Sequence, residues 1–293
     1  MHCFSVGIFF GIAAATATKE SSSGLRSCRC RPQVWSSRQY VAPNSTPVMR
    51  NINLVPSGQR LADERPIFGS GRAFSEFGNI LAAESVGQSV YNGLNVTLSK
   101  RFSHEFEMFS TYTWSHAIDY APEQNNIDSP NFVLSDPTNR RRDRGNSLTD
   151  RRQAFNGYLV YAPSLVGGNR AVQCLVNGNR IAVTATIQSG DVFNMGSNRV
   201  LNGDPLTPAA FQRPLFIGRN TIRGPRTSEI NVRYTRLIPL TDRMNLEFIA
   251  ESTNVFNRTN VVGLNTTATV DPAGNIIAPP SLNATAALDQ RLL

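Results

Sequence analysis

Apolar and polar residues alternate through several stretches of this chain, most sharply in residues 91–118, YNGLNVTLSKRFSHEFEMFSTYTWSHAI. Leu94, Val96 and Leu98 fall on one parity, against Asn95, Thr97 and Ser99. After a turn at residues 102–105, Phe106, Met108, Tyr112 and Trp114 oppose Glu105, Glu107, Thr111, Thr113 and Ser115. Strand side chains alternate with period two, so this stretch predicts a hairpin with one apolar and one polar face. A soluble sandwich would give the same period, so length and the chemistry of the wet face carry the distinction. The second strand holds its alternation, broken only at Phe109 and Ser110, over roughly the 9–11 residues that a tilted strand needs to cross a bilayer. Its polar face carries glutamates and small hydroxyls, as a water-filled lumen would. Tyr112 and Trp114 sit near one end of the apolar face, where an aromatic girdle belongs.

The same reading extends along the chain. Residues 77–85 predict a short first strand, and residues 41–75, rich in Pro, Gly and Asn, predict a loop. Further strands are expected at 154–161, 180–188, 229–237 and 244–251. In 180–188, Ile181, Val183, Ala185 and Ile187 oppose Ala182, Thr184, Thr186 and Gln188. No apolar period of 3.6 residues persists beyond residue 20, so helix should be scarce. The connections alternate in length: short turns at 102–105, 163–168 and 239–242, and long polar loops at 119–150, 190–226 and 254–288. Such loops count against a compact soluble domain but suit an outer-membrane barrel, with short turns facing the periplasm and long loops outside. The fold class expected is all-β: an open, curved antiparallel sheet of about seven strands, part of a transmembrane barrel, with long, poorly packed extracellular loops.

The stretch 91–119 resembles a barrel hairpin of TonB-dependent receptors of the Oar-like type. SDPTNRRRDRGNSLTDRRQAF, TIQSGDVFN, GRNTIRGP and EFIAESTNVFNRTN follow in the same order as in that family. The similarity runs from about Asn53 to Leu293. The resemblance implies the C-terminal part of a large plugged barrel, of about 22 strands, whose family members also carry a plug and a carboxypeptidase-regulatory-like domain. It implies a bacterial outer-membrane location and TonB-dependent transport. On this reading residues 41–293 are a C-terminal barrel segment, a fragment not expected to function alone. Residues 1–40 are a separate, disordered segment.

Within that segment, residues 3–18, CFSVGIFFGIAAATAT, are the continuous apolar run of the chain. Their length suits a signal-peptide core and Ala15-Thr16-Ala17 a cleavage site, but only His2 stands where a positive n-region belongs. A signal peptide and a mis-assigned start both fit. Charged residues make up 17% of the chain, low for a soluble domain. Cys3, Cys28, Cys30 and Cys174 match neither zinc spacing nor a disulfide framework.

Candidate chemistry is sparse. Glu105 and Glu107 share a strand face, as paired acid–base carboxylates could, but lumen lining accounts for them better. His2, His104 and His116 do not make a metal set, and no nucleophile elbow or phosphate-cradling loop occurs. No enzyme activity, metal or cofactor is expected. The net charge of +8 would suit a nucleic-acid binder. The basic cluster Arg140, Arg141, Arg142, Arg144, Arg151 and Arg152 nevertheless lacks the interleaved aromatics or module such a site needs. Asp136, Asp143 and Asp150 are interspersed with it, so much of the charge can be paired locally. The cluster is expected at the extracellular mouth. It would either brace the loop on the carboxylates of the wall or bind lipopolysaccharide phosphates or another anionic ligand. Glu105, Glu107, Thr184, Glu229, Arg233 and Glu247 are the candidate lumen-lining residues. The partners expected are outer-membrane lipid, lipopolysaccharide, an unknown substrate and, through the plug, the TonB system, with no nucleic acid. A soluble or secreted β-rich binding protein with a basic interaction loop is the alternative.

Overall fold

The computed structural model describes residues 7–11, 31–120, 136, 139–204, 209–241 and 244–288, with side chains from residue 51 onward except 81, 83–86 and 241. In chain order the strands begin with β1 (Gly7–Gly11), β2 (Arg31–Asn51), β3 (Leu54–Arg60), β4 (Pro66–Arg72), β5 (Leu81–Ser103) and β6 (Phe106–Asp119). The chain continues through β7 (Gly145–Asn146), β8 (Gln153–Tyr161), the helix α1 (Arg170–Val176), β9 (Asn179–Gln188), β10 (Val192–Phe193), β11 (Gly196–Ser197) and β12 (Ile222–Arg223). It ends with β13 (Thr227–Thr241), β14 (Met244–Ser252), β15 (Val261–Leu264), β16 (Thr267–Val270), β17 (Ile276–Ala278) and β18 (Ala284–Ala287).

The main sheet has nine strands in the order β1-β2-β5-β6-β8-β9-β13-β14, with β7 paired to β6. Without the short β1 and β7, seven long antiparallel strands remain. The sheet is open: β14 pairs on one side with β13 and has no strand on its other side among the described residues. This is the partial barrel wall that the alternation predicts.

Register turns the parity of each strand into a shared face. Val96 pairs with Tyr112, Tyr112 with Phe155, and Phe155 with Ile187. Nearer the sheet's middle, Met108 pairs with Leu159, Leu159 with Val183, and Val183 with Val232. Directly opposed residues of an antiparallel pair lie on the same face, so these rows make one apolar surface across successive strands. A third row, Phe106, Tyr161, Ile181 and Tyr234, closes that surface at the end of the sheet opposite Trp114. The apolar face therefore carries aromatic residues at both margins, as a membrane-crossing sheet does.

Several boundaries differ from expectation. Residues 31–51 form β2, although 31–40 were expected to be disordered and 41–51 to be loop. The separate strand expected at 77–85 does not form: residues 81–85 are the start of a continuous β5. Long β-pairing with β2, from Asn51↔Leu81 to Arg31↔Ser99, explains both, because each strand supplies the other's backbone partners. The turn expected at 163–168 is a longer connection, residues 162–178, that includes α1. Asn169 caps this helix, its side chain accepting from Ala171 N. The turn between β13 and β14 falls at residues 242–243, outside the described residues, as do residues 121–135 of the first long loop and most of 1–30.

The main correction concerns the long loops. They were expected to be poorly packed, yet the hydrophobic core cluster among the described residues lies in them: Leu61, Leu201, Leu215 and Val270, with Ile67 against it. These residues come from segments 52–80, 189–226 and 253–288, all attached to the same end of the sheet. The strands themselves are half-exposed on both faces. The chain thus buries its apolar core in a loop assembly at one end of the sheet and leaves the apolar sheet face open.

Candidate functional site

Asparagine amides hold the loops onto the strand ends. Asn53 is fully buried, and its Nδ2 donates to the carbonyls of Phe74, Phe77 and Gly78 while its Oδ1 accepts from Phe74 N. Asn260 Nδ2 donates to Ser228 O at 3.0 Å and its Oδ1 accepts from Ser228 N at 2.7 Å. An amide side chain here stands in for a strand residue, pairing both backbone groups of Ser228. Asn254 receives Arg258 N and donates to Arg258 O, while its own N–H donates to Asn231 Oδ1. Asn254 and Asn257 both have positive φ, which asparagine tolerates better than most residues. The NVFN stretch is therefore a folded turn against the strand ends. Gly203 has φ +73, and a Cβ there would lie 2.4 Å from the Phe68 carbonyl, so this loop reaches β4 only with glycine. Phe68 N donates to Asn202 O at 2.8 Å and completes the contact.

Charge organises the rest of the assembly, through buried aspartates. Asp136, Asp143 and Asp150 are all buried. Asp150 Oδ1 accepts from Ala117 N at 2.8 Å, and its Oδ2 receives Arg152 Nε at 3.2 Å and Arg223 Nη2. Asp143 receives Arg213 Nη1 at 2.8 Å, with Arg213 Nη2 donating to Arg142 O at 3.0 Å. Arg219 Nη1 reaches Asp143 O at 3.1 Å and pairs with Asp119, the last residue of β6. Asp136 takes Arg142 at 2.9 Å, and Arg142 also lies 3.9 Å from Asp63, which holds Arg65 at 2.8 Å. Burial holds the Arg65 guanidinium below its ordinary pKa, and the nearby Asp63 opposes that shift. These chains of ion pairs link segments 52–80, 136–152 and 189–226 to one another and to the end of β6.

The predicted arginine cluster divides in two. Arg142, Arg151 and Arg152 are paired, with Asp136, Asp191 and Asp150. Arg142–Asp136 and Arg152–Asp150 are the local pairing that the interspersed aspartates predict, and the bracing carboxylates belong to the loops instead of the wall. Arg140, Arg141 and Arg144 are exposed, and among the described residues no ion pair holds them. The pairing is also less local than the sequence spacing suggests, because Arg213, Arg219 and Arg223 supply long-range partners. Nothing in the sequence pattern around these three alone marks them as site residues. The signal available was the equal spacing of Asp136, Asp143 and Asp150, together with the arginines of RPLFIGRNTIRGP.

The polar sheet face collects the other candidates. Thr184 pairs with Asn231, Glu229 with Thr186, and Arg233 with Glu251 and Ala182, all on the face opposite Val183. Glu107 accepts from Tyr158 Oη at 2.9 Å, and Thr97 and Thr111 hydroxyls lie 3.3 Å apart on the same face. Glu247, opposite Leu237, also falls on this parity. Glu105 is different: it sits in the turn with φ 72, and its carboxylate accepts from Ser164 N at 3.0 Å, bracing the 162–178 connection. The polar face is not uniform, since Phe109 and Tyr158 stack on it with ring centroids 5.9 Å apart.

Such a wall, with one apolar and one polar face and one heavily folded end, can separate lipid from water and present loops on one side. Residues 35–217, more than half of the chain, match the model of the outer membrane beta barrel domain. This chain belongs to that family. Membership places the barrel wall in the bacterial outer membrane and sets aside the soluble alternative. The match takes in residues 35–40, so the barrel domain begins before residue 41, and it covers β5 to β9 with the loops between them. Comparison with curated proteins finds no match. Among the described residues no helix is long and apolar enough to cross a membrane, which is no test of crossing by strands.

Proposed function

We propose that this outer-membrane barrel protein is a TonB-dependent transporter of the Oar-like type, in which the chain provides part of the barrel wall and its extracellular mouth. The observation that carries the reading is the union of two features on one sheet. Its polar face gathers Thr184, Glu229, Arg233 and Glu247 across successive strands, as a solute-lining wall would. The described parts of its long connections are folded into an arginine–aspartate-linked assembly at one end, the device a receptor needs to hold a binding mouth in shape. The order of the segments similar to Oar-like receptors supports the finer assignment. In this reading Glu107, with Tyr158, lies along the solute path. Arg140, Arg141 and Arg144 are offered outward to anionic groups, whether lipopolysaccharide phosphates or the solute itself.

The test uses the native organism. Spent medium from wild type, from a strain lacking this protein and from a strain lacking TonB is compared by mass spectrometry. A solute consumed by wild type and left behind by both mutants is the expected result. If loss of TonB alters consumption while loss of this protein alters nothing, the transport reading fails.

A further inference from the structure

Among the described residues, the connection 162–178 is a folded feature at the sheet end opposite the loop assembly, and it exposes apolar side chains. Val166 is 97% exposed, Leu175 71% and Val172 48%. The connection is nonetheless held in place. Asn177 donates to Leu165 O and accepts from Leu165 N. Arg236 donates to the carbonyls of Cys174 and Leu175, and Asn179 Nδ2 donates to those of Leu175 and Val176. Tyr234 Oη donates to Asn179 Oδ1 at 2.6 Å.

These anchors decide the side on which α1 ends. Arg236 pairs in register with Asn179 and lies two residues from Tyr234, so Tyr234, Arg236 and Asn179 share the apolar face. The C-terminal carbonyls of α1 are therefore bound by residues from the lipid side of the wall, next to the aromatic row Phe106, Tyr161 and Tyr234. Cations border the same margin. Lys100 sits on the apolar parity opposite Met108 and turns its ammonium to the carbonyls of Ser103 and Phe106. Arg170 opens the helix, and Arg236 closes it.

We propose that residues 165–176 are an interfacial anchor, with Val166, Val172 and Leu175 set into the boundary of an anionic phospholipid leaflet and Lys100, Arg170 and Arg236 at headgroup level. Apolar area that is ordered by polar bonds and continuous with a lipid-facing surface is stabilised by lipid and penalised by water. Cations at its margin add attraction to anionic headgroups. The inference rests on the outer-membrane barrel reading but not on transport.

Cys174 is exposed within the segment and provides the probe. In the full chain with Cys3, Cys28 and Cys30 replaced by serine, a nitroxide on Cys174 is read by power-saturation spectroscopy in phosphatidylethanolamine–phosphatidylglycerol vesicles. Greater accessibility to oxygen than to an aqueous nickel chelate is expected, and replacing phosphatidylglycerol by phosphatidylcholine should shift the label toward water. Val166→Asp with Leu175→Asp should reverse the preference. A second probe, Val183→Cys in a Cys174→Ser background, separates the outcomes. If the Val183→Cys label is in lipid while the Cys174 label stays in water, the anchor is refuted and the barrel stands. If both are in water, the anchor is refuted together with the membrane assignment of that face.

Discussion

Arg213 closes on Asp143 at 2.8 Å although 70 residues separate them along the chain, and both side chains are buried. This pair ties the loop before β12 to the loop before β7, and Arg219 carries the tie on to Asp119 at the end of β6. Two long surface loops thereby become one body with the wall.

Removing one partner should be costly. Asp143→Ala removes a buried carboxylate that Arg213 pairs with, and breaking a buried pair costs roughly 3–5 kcal/mol. Limited proteolysis of the folded protein should then cut within residues 139–152 and 209–226 while the strands stay protected. Unchanged loop protection would show that the apolar cluster alone holds the assembly.

The two sheet faces should respond oppositely to charge. Val183→Arg places a guanidinium at mid-height on the apolar face, at a cost of roughly 2–4 kcal/mol near the bilayer midplane. Thr184→Arg, on the polar face, should cost much less. Urea unfolding from phospholipid vesicles reads the difference, and equal losses would contradict the division of faces.

Sidedness follows from the same geometry. In intact cells, with the native cysteines replaced by serine, a membrane-impermeant thiol reagent should label Arg141→Cys in the exposed arginine stretch and leave Ser164→Cys, in the connection at the other end of the sheet, unlabelled until the outer membrane is breached. Labelling in the reverse order would invert the orientation.

Asn260 offers a narrower check. Its amide pairs both backbone groups of Ser228, so Asn260→Ala leaves a strand-end donor and acceptor unmet, at about 1–3 kcal/mol. Hydrogen exchange at Ser228 should accelerate, with little change at Val183.

Strong acid should loosen the β16–β17 hairpin. Asp271 accepts from Asn275 through side chain and backbone, and these bonds hold its pKa below the ordinary 3.8. A depressed folded pKa means the contribution is complete above the unfolded value and disappears as pH falls through the lower, folded one. The β16–β17 turn should therefore stay closed at pH 5 and open only below the ordinary aspartate range. Asn275→Ala should raise the Asp271 titration midpoint, as followed by carboxyl carbon NMR.

Period-two alternation determined, from sequence alone, that this protein is a sheet with one apolar and one polar face. Face membership is a local property: once backbone pairing begins, parity dictates which of Val183 or Thr184 meets lipid, and register must align like with like. The strands at 106–119, 153–161 and 179–188 were legible for that reason. β2 was not, because its Pro- and Ser-interrupted sequence has no clear alternation and becomes a strand through its long pairing with β5. α1 was missed because seven residues are too few to show a helical period, and its C-terminal carbonyls are satisfied by Arg236 from a distant strand. The loop assembly depended most on tertiary structure. Asp143 has arginines on both sides in sequence, and nothing local says that its partner is Arg213 rather than Arg142 or Arg144. Only the folded chain brings Arg213 and Arg223 to the buried aspartates Asp143 and Asp150, because a buried carboxylate is stabilised by whichever cation the surrounding packing delivers dry and in hydrogen-bonding geometry.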